Sequence, residues 1–343
     1  MAETGIVILN WNGRHLLEQF LPVLIRFTDP YLADIIIADN GSSDGSVDYL
    51  RNNFPGIRLI VHEQNYGFAE GYNRALQKLD YTFYVLLNSD VEVTAQWFEP
   101  LLKMAKDNND IAAVMPRIRS WHNRDYFEHA GAAGGFLDRF GYPFCRGRIF
   151  NVIEKDTGQY DNSGEVFWAS GACMLVRGDV YHAAGGLDNF FFAHMEEIDL
   201  CWRMQNMGYR IFYCHTSTVF HIGGATLPKK NHRKTFLNFR NNFILLYKNL
   251  PPSGLFRILA ARILLDWISV FFFLVKAEFS ECYAVIRAHL SIMAYPASIN
   301  RKRKETKKVI RHYKTELLFP KSIVYQFYIR GIRTFSKLSP VKS

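Results

Sequence analysis

The stretch "ADIIIADNGSSDGSVDYLRNNFPGIRLIVHE", residues 33–63, decides the fold. It opens with a short apolar, β-branched run that stops at Asp39, the pattern of a buried strand. A Gly/Ser/Asp turn follows, then "SVDYLRNNF" reads as a helix and "IRLIVHE" as another strand. Strand, short helix and strand joined by tight turns argue for a parallel βαβ unit. The pattern extends on both sides. "GIVILNWN" (5–12) is a strand, and Leu16, Leu17, Phe20, Leu21, Leu24 and Ile25 repeat at helical spacing after it. "GFAEGYNRALQKL" (67–79) is a helix, and "YTFYVLLNSDVEV" (81–93) is a fourth strand that breaks into polar residues. The expected fold is α/β, a mostly parallel sheet flanked by helices.

Open sheets of this kind bind ligands beyond the carboxyl ends of their strands. Here those ends are Asn10–Asn12, Asp39–Asp44, Asn65 and Asn88–Asp90, so polar and acidic side chains collect on one edge. Asp44 suits a turn and a helix cap. Asp39, the last residue of a buried strand, can accept hydrogen bonds from a base or a ribose. Asp90 can serve a Mg²⁺ ion, which takes one or two carboxylates and completes its shell with phosphates. A plain turn aspartate is the competing reading.

Downstream, "AAVMPRIRS" (112–120) reads as a strand and the Gly-rich, aromatic "HAGAAGGFLDRFGYPFCRGR" (129–148) as loop. Residues 164–187 read as a turn, a strand and a short helix, and 209–224 as one or two strands. Between them "FFFAHMEEIDLCW" (190–202) sets Glu196, Glu197 and Asp199 directly after three phenylalanines. Leu200, Met204 and Met207 continue a helix to Gly208, and acids in a first turn complement its dipole. The aromatic wall beside them adds a second meaning, because desolvation raises a carboxyl pKa towards the range useful to a general base. His221 follows an apolar strand and precedes Gly223 and Gly224, which would let backbone approach a ligand.

Of the 343 residues 49% are hydrophobic and 21% charged, so a real core is expected and wholesale disorder is excluded. The net charge of +9 conceals a split. Residues 231–343 carry 21 Lys+Arg against 5 Asp+Glu, a net +16, and residues 1–230 carry 20 against 27, a net −7. Five cysteines without CxxC spacing read as reduced thiols in a cytoplasmic protein. The beginning, "MAETGIVILNWNG", reads as a first strand and not a signal peptide.

In the basic part, "GLFRILAARILLDWISVFFFLVKAEF" (254–279) is interrupted by Arg262 and Asp266. Its longest clean apolar run, Trp267–Val275, falls short of the about 20 residues that span a bilayer. An interfacial helix or helix pair is expected. "RKRKETKKVIRHYK" (301–314) adds eight Lys or Arg, a cluster attracted to anionic lipids. A solvated basic helix is the plainer alternative. The apolar aromatic surface beside the cluster favours a membrane over nucleic acid, so residues 255–314 are expected on an anionic membrane.

Seven blocks in order, "VILNWNG", "ADNGSSDGS", "NYGFAEGYNRAL", "LLNSDVEV", "WASGACMLVR", "FFFAHMEEIDLCWRMQNMGYRI" and "VFHIGGATL", resemble the family 2 glycosyltransferases of GT-A fold, in particular their bacterial rhamnosyltransferase-like branch. The resemblance spans roughly residues 4–250. It implies a nucleotide-sugar donor, a glycan or lipid-linked acceptor, a divalent metal (Mg²⁺ or Mn²⁺) and inversion at the anomeric carbon. By position, Asn10 and Asn12 would lie at the nucleotide site, with Asp39 on the base or ribose. Asn65, Gly67 and Asn73 would line the donor pocket. Asn88, Ser89 and Asp90 would form the DxD-type motif with Asp90 on the metal. Gly171 and Ala172 would border the sugar, with Trp168 in its wall, and His221 would sit near the metal or diphosphate. The base maps onto Glu197, with Glu196 as the alternative. Two departures stand out: Asn88 replaces the first acid of the DxD motif, and Glu196–Glu197 replaces the common Glu-Asp pair. The expected division is a catalytic domain over 1–235, with a nucleotide-sugar half to about 115 and an acceptor half over 116–235, then a helical membrane-associated extension over 236–343 on the cytoplasmic side of the cell membrane. A nucleotidyltransferase and an inactive membrane-bound scaffold on the same fold are the competing functions. The first would normally show a Gly-rich basic phosphate loop near the first strand, and "NWNGRH" is not one.

Overall fold

The computed structural model describes residues 2–223 and 232–338. The chain enters through β1 (Thr4–Asn10), α1 (Arg14–Arg26), β2 (Ala33–Asp39), α2 (Ser46–Asn53), β3 (Arg58–Val61), α3 (Gly67–Leu76) and β4 (Phe83–Asn88). Strands β1, β2, β3 and β4 pair in parallel, in the order β4-β1-β2-β3. Ile6, Val7, Ile36, Ile37 and Val85 are wholly buried. A parallel sheet covered on both faces needs such unbroken apolar runs. The register sets Asn10 opposite Asp39 and Leu9 opposite Asn88, so the three strand ends stop in one row.

Next come β5 (Val91–Val93), α4 (Glu99–Asp107), β6 (Ile111–Ser120), β7 (Gly135–Leu137), β8 (Pro143–Cys145), β9 (Arg148–Ile149), β10 (Val152–Ile153), β11 (Gly164–Val166), β12 (Cys173–Arg177) and α5 (Gly178–Ala183). After α6 (Glu196–Asn206), β13 (Arg210–His221) closes the sheet. The nine-stranded main sheet runs β11-β13-β6-β12-β4-β1-β2-β3, with β5 against β13. Antiparallel β12 slots between β4 and β6, which brings residues 171–172 to the edge where β1, β2 and β4 end.

The expected loop over 129–148 is instead part of a separate antiparallel sheet, β10-β9-β8-β7. Its strands are two or three residues long, too short for periodicity to register. Phe136 and Phe144 turn inward and build an aromatic cluster with residues far along the chain, Phe319 and Phe335.

The remaining helices are α7 (His232–Asn249), α8 (Leu255–Val275), α9 (Phe279–Ala294), α10 (Pro296–Val309) and α11 (Ile323–Tyr328). Composition changes at residue 235, but packing runs across it. Phe319 donates its N–H to Leu137 O at 2.9 Å, and Ile323 donates to buried Asp138 Oδ2 at 2.8 Å. Helix α7 buries Asn241, Asn242, Lys248 and Asn249 against the domain that carries the sheet.

Helix α8 is continuous for 21 residues with mean hydropathy 2.2, long and apolar enough by length and composition to cross a membrane. The sequence makes it look interrupted. Arg262 and Asp266 instead face inward, one turn apart, paired at 2.7 Å.

Candidate active site

The polar edge begins at β1 and β2. Asp39 is fully buried and accepts from Asn10 Nδ2 at 2.9 Å and from the Ser42 N–H at 2.9 Å. These bonds hold the carboxylate in place at the strand end. Asn10 Oδ1 is buried without a partner. Such an orphan acceptor at a strand end suits a ligand's N–H or O–H. Asn12 folds back over the turn, taking a hydrogen bond from the Ser43 N–H at 2.8 Å. Asp44 accepts from the Arg14 and Ser46 N–H groups, the turn role its sequence setting suggests.

Asn65 shapes the neighbouring loop. Its Oδ1 accepts from the Gly67 N–H at 2.8 Å and from Asn40 Nδ2 at 3.0 Å. Gly67 has φ +80°, and a Cβ there would meet the Phe192 ring at 3.0 Å. The loop before α6 therefore lies directly on this edge.

Asn73 is used otherwise. Its amide bonds Leu187 O at 2.7 Å, the Leu187 N–H at 3.0 Å and the Tyr181 hydroxyl at 2.7 Å, tying α3 to the turn after α5. Trp168 also stays inside. Its indole N–H donates to Phe136 O at 2.9 Å, at the junction of the two sheets. Ala172 is buried, and its carbonyl accepts from the Asn88 N–H at 2.9 Å. Ser89 Oγ would lie 3.5 Å from a Cβ at Gly13, so it sits beside the turn that follows β1.

On the far side of β4, His221 is held between two acids. Its Nε2 stands 3.1 Å from Asp90 Oδ1 and its Nδ1 3.2 Å from Glu128 Oε2, all three residues being buried. Burial alone would lower the histidine's pKa, but the two carboxylates outweigh it and lift it to about 10. Burial opposes ionisation of Glu128 as well, and the paired histidine pulls it down to about 2. Gly223 has φ +71°, and any Cβ there would approach Glu128 Oε1 to 2.5 Å, so the chain passes tight against this acid. Gly224 and residues 225–227 of the last family block lie outside the described residues. Glu128 escapes sequence reading because it falls between the strand expected over 112–120 and the loop expected over 129–148. The only hint is an acid next to a histidine ahead of a Gly/Ala run.

A divalent cation that displaced the Nε2 proton of His221 would meet Asp90 and the freed imidazole nitrogen, with an acid behind the other ring nitrogen, a workable donor set if phosphate and water supply its other ligands. Among the described residues no three His, Cys, Asp or Glu side chains make a complete cage.

The three acids of α6 separate sharply. Asp199 is fully buried and accepts from Arg203 Nε at 2.8 Å, Lys248 Nζ at 2.9 Å and Asn249 Nδ2 at 2.9 Å. Lys248 also bonds Asp188, which Lys302 contacts at 3.0 Å. Asp199 is thus saturated by a structural ion network. Glu197 is half-buried, and its Cβ lies 3.7 Å from a Cβ built on Gly171, which puts it at the edge formed by β12. Its Oε2 has no protein partner. Burial lifts the Glu197 carboxyl to about 7. Glu196 is buried more deeply, and burial together with the charges of Glu197 and Asp199 pushes it well above the usual carboxyl range.

The backbone leading into α6 is strained. Phe192, His194 and Met195 all have left-handed φ, at 63°, 67° and 75°. Such conformations cost about 1–3 kcal/mol each and persist only where surroundings enforce them. Helix α7 supplies the enforcement. Asn241 Nδ2 donates to Phe191 O at 3.0 Å, Ala193 O at 2.9 Å and His194 O at 2.8 Å, and Arg240 reaches Phe190 O at 3.0 Å. Asn241→Ala is expected to remove about 2 kcal/mol of local stability. Hydrogen exchange should then quicken at amides 191–195 and stay unchanged in β1, β2 and β4. Uniform acceleration across the domain would contradict this local role.

Comparison with known proteins agrees with the fold. The sequence model for glycosyl transferase family 2 matches residues 5–182. An N-acetylglucosaminyl-diphospho-decaprenol L-rhamnosyltransferase of Mycobacterium tuberculosis is 25% identical over 230 residues, covering 63% of this chain and 75% of that protein. The low-salt glycan biosynthesis hexosyltransferase Agl10 of Haloferax volcanii is 23% identical over 249 residues, 71% of this chain and 75% of its own length. Two solved structures share the fold. GalNAc-T7 with UDP, GalNAc and Mn²⁺ superposes with TM-score 0.56 at 15% identity, over 72% of this chain and 48% of that one. The mannosyltransferase PcManGT of Pyrobaculum calidifontis with GDP-Man and Mn²⁺ superposes with TM-score 0.51 at 14% identity, over 91% and 82%.

Proposed function

Because the chain belongs to glycosyl transferase family 2, we propose that it is an inverting, divalent-metal-dependent enzyme that moves a sugar from a nucleotide-sugar to a hydroxyl of a lipid-linked or glycan acceptor. It works at an anionic membrane on the cytoplasmic side, in synthesis of a cell-surface glycan. The observation that carries the reading is Glu197, lifted to about 7 by burial and set beside Gly171 at the sheet edge.

In this mechanism Glu197 takes the proton from the acceptor hydroxyl, whose oxygen attacks the anomeric carbon as the bond to the nucleotide diphosphate breaks. Asp39 and Asn10 orient the nucleoside. Asp90 and His221 would hold Mg²⁺ or Mn²⁺, which when bound stabilises charge developing on the diphosphate. Glu128 fixes the His221 ring from behind and keeps Nε2 aimed at Asp90. The catalytic domain extends in function beyond residue 235, because Arg240 and Asn241 hold the loop that presents Glu197.

The test is transfer from a panel of nucleotide-sugars to a polyprenyl-diphosphate-sugar acceptor, with Mn²⁺ and with chelator. Turnover that needs both the metal and one donor supports the reading, and turnover indifferent to chelator overturns its metal part. Glu128→Gln is expected to weaken Mn²⁺ binding by about 10- to 100-fold, as loss of an outer-shell partner typically does. Titration of Mn²⁺ alone, followed by electron paramagnetic resonance, measures it without turnover. Unchanged affinity would remove Glu128 from the site.

A further inference from the structure

We infer that α8, α9 and α11 together form a monotopic membrane dock, an apolar face that enters one leaflet of an anionic bilayer while α8 never crosses it. The inference rests on the membrane placement proposed above and states its geometry.

The exclusion of a span comes from the inward side of α8. Arg262 Nη1 donates to Phe140 O at 3.2 Å, and the same guanidinium bonds Asn242 of α7. Asp266 contacts His289 of α9 at 3.2 Å. These residues stand in the second to fourth turns of α8, near its middle. A crossing helix would carry that middle to the centre of the hydrocarbon. It would drag with it the irregular turn between β7 and β8, including exposed Arg139. Irregular backbone exposed to lipid is not tolerated there. The charges that break up the sequence of α8 are therefore clasps that fasten it flat to the catalytic domain.

The outward side is almost wholly apolar. Phe256, Leu264, Trp267 and Phe271 follow one stripe of α8, the last 67% exposed. On α9, Phe279, Tyr283, Ile286, Leu290 and Met293 recur at helical spacing, and Met293 is 75% exposed. The inward stripes of the two helices meet through Cys282 and Val270, so both outward stripes flank one hairpin. The Phe272–Tyr328 ring contact at 6.4 Å joins α11 to this face, with Tyr325 and Ile329 exposed beside it. Exposed Trp and Tyr among aliphatic side chains suit the level of lipid headgroups.

Charge chooses the occupant. Arg257, Lys276 and Arg287 are exposed on the hairpin, whereas of its three acids Asp266 is buried and Glu278 and Glu281 are half-buried. In α10, Lys302 and Arg303 turn inward, Lys302 onto Asp188 and Arg303 onto the carbonyls of Tyr247 and Leu250. Arg301, Lys304, Lys307 and Lys308 stay exposed. An anionic bilayer complements this surface. A second copy of the chain would bring the same +16 excess of residues 231–343 against it.

The experiment uses the full chain, without substrate, in flotation with phosphatidylcholine vesicles made with and without phosphatidylglycerol. The protein should float with the anionic vesicles. Trp267→Asp/Phe271→Asp should weaken that binding at least about 100-fold and leave thermal unfolding unchanged. Orientation is read with Ser280→Cys, since the five native cysteines are all buried. With the catalytic domain outside sealed vesicles, an impermeant maleimide trapped in the lumen should leave it unlabelled, whereas a crossing α8 would expose it there. Labelling only from the lumen, equal binding by the double variant, or a dimer in solution that ignores vesicles would each overturn the dock. Transfer to a water-soluble acceptor analogue needs no vesicle, so a failed dock and a failed transferase reading are told apart.

Discussion

Glu197→Gln is expected to lower kcat by about 100- to 10,000-fold, the usual contribution of a positioned base, while donor binding stays near that of the unaltered protein. The amide keeps the shape of the side chain beside Gly171 and loses only the capacity to accept a proton. The pH profile gives an independent check. Burial raises the carboxyl to about 7, and only the ionised form can act as base. The sign is therefore fixed: kcat rises as pH rises through about 7, along a limb that the Gln variant should lack. Glu196→Gln is expected to cost far less, because Glu196 is turned deeper into the protein and held well above the usual carboxyl range. Near-normal turnover by Glu197→Gln, measured with donor and Mn²⁺ saturating, would move the base elsewhere.

Lys248→Met should destabilise the fold by about 3–5 kcal/mol, the loss typical when one partner leaves a buried ion pair. Lys248 is buried and bridges Asp188 and Asp199, which join the turn before α6 to α6 itself. Methionine fills the volume and leaves two buried carboxylates short of a cation. Arg203 and Asn249 still serve Asp199, so adding Asp199→Asn to Lys248→Met should recover part of the loss. Urea unfolding of the single and double variants reads both effects. A loss under about 1 kcal/mol, the level of an exposed pair, would mean the network is hydrated and carries no weight.

These two variants divide what "FFFAHMEEIDLCW" presents as one acidic cluster. Along the chain, Glu197 and Asp199 are two residues apart and differ in nothing that local pattern registers. In the fold, one faces the sheet edge and the other is locked by Lys248 and Asn249, roughly fifty residues away. Asn241 was hidden in the same manner. It belongs to a run, "NFRNNFILLYKN", that reads as an ordinary helix of the basic part. Consecutive asparagines among apolar residues were the one available sign that this helix serves buried carbonyls. Glu128 lay in the unpatterned stretch between β6 and β7, and Trp168 and Asn73 were drawn to the edge by motif position although their polar atoms are spent inside.

By itself the sequence determined the parallel half of the sheet and the edge at which polar side chains gather. It did so because burial on both faces demands unbroken apolar strands and because turns demand Gly, Asn, Ser and Asp; both are short-range requirements, readable within ten residues. The tertiary structure alone decided which acid is left without a partner, which histidine is gripped by two carboxylates, and that Arg262 and Asp266 clasp α8 to the catalytic domain. Those outcomes depend on which distant side chains meet once the helices pack. A buried charge is defined by its partners, and its partners here lie up to 185 residues away, as Ile323 does from Asp138.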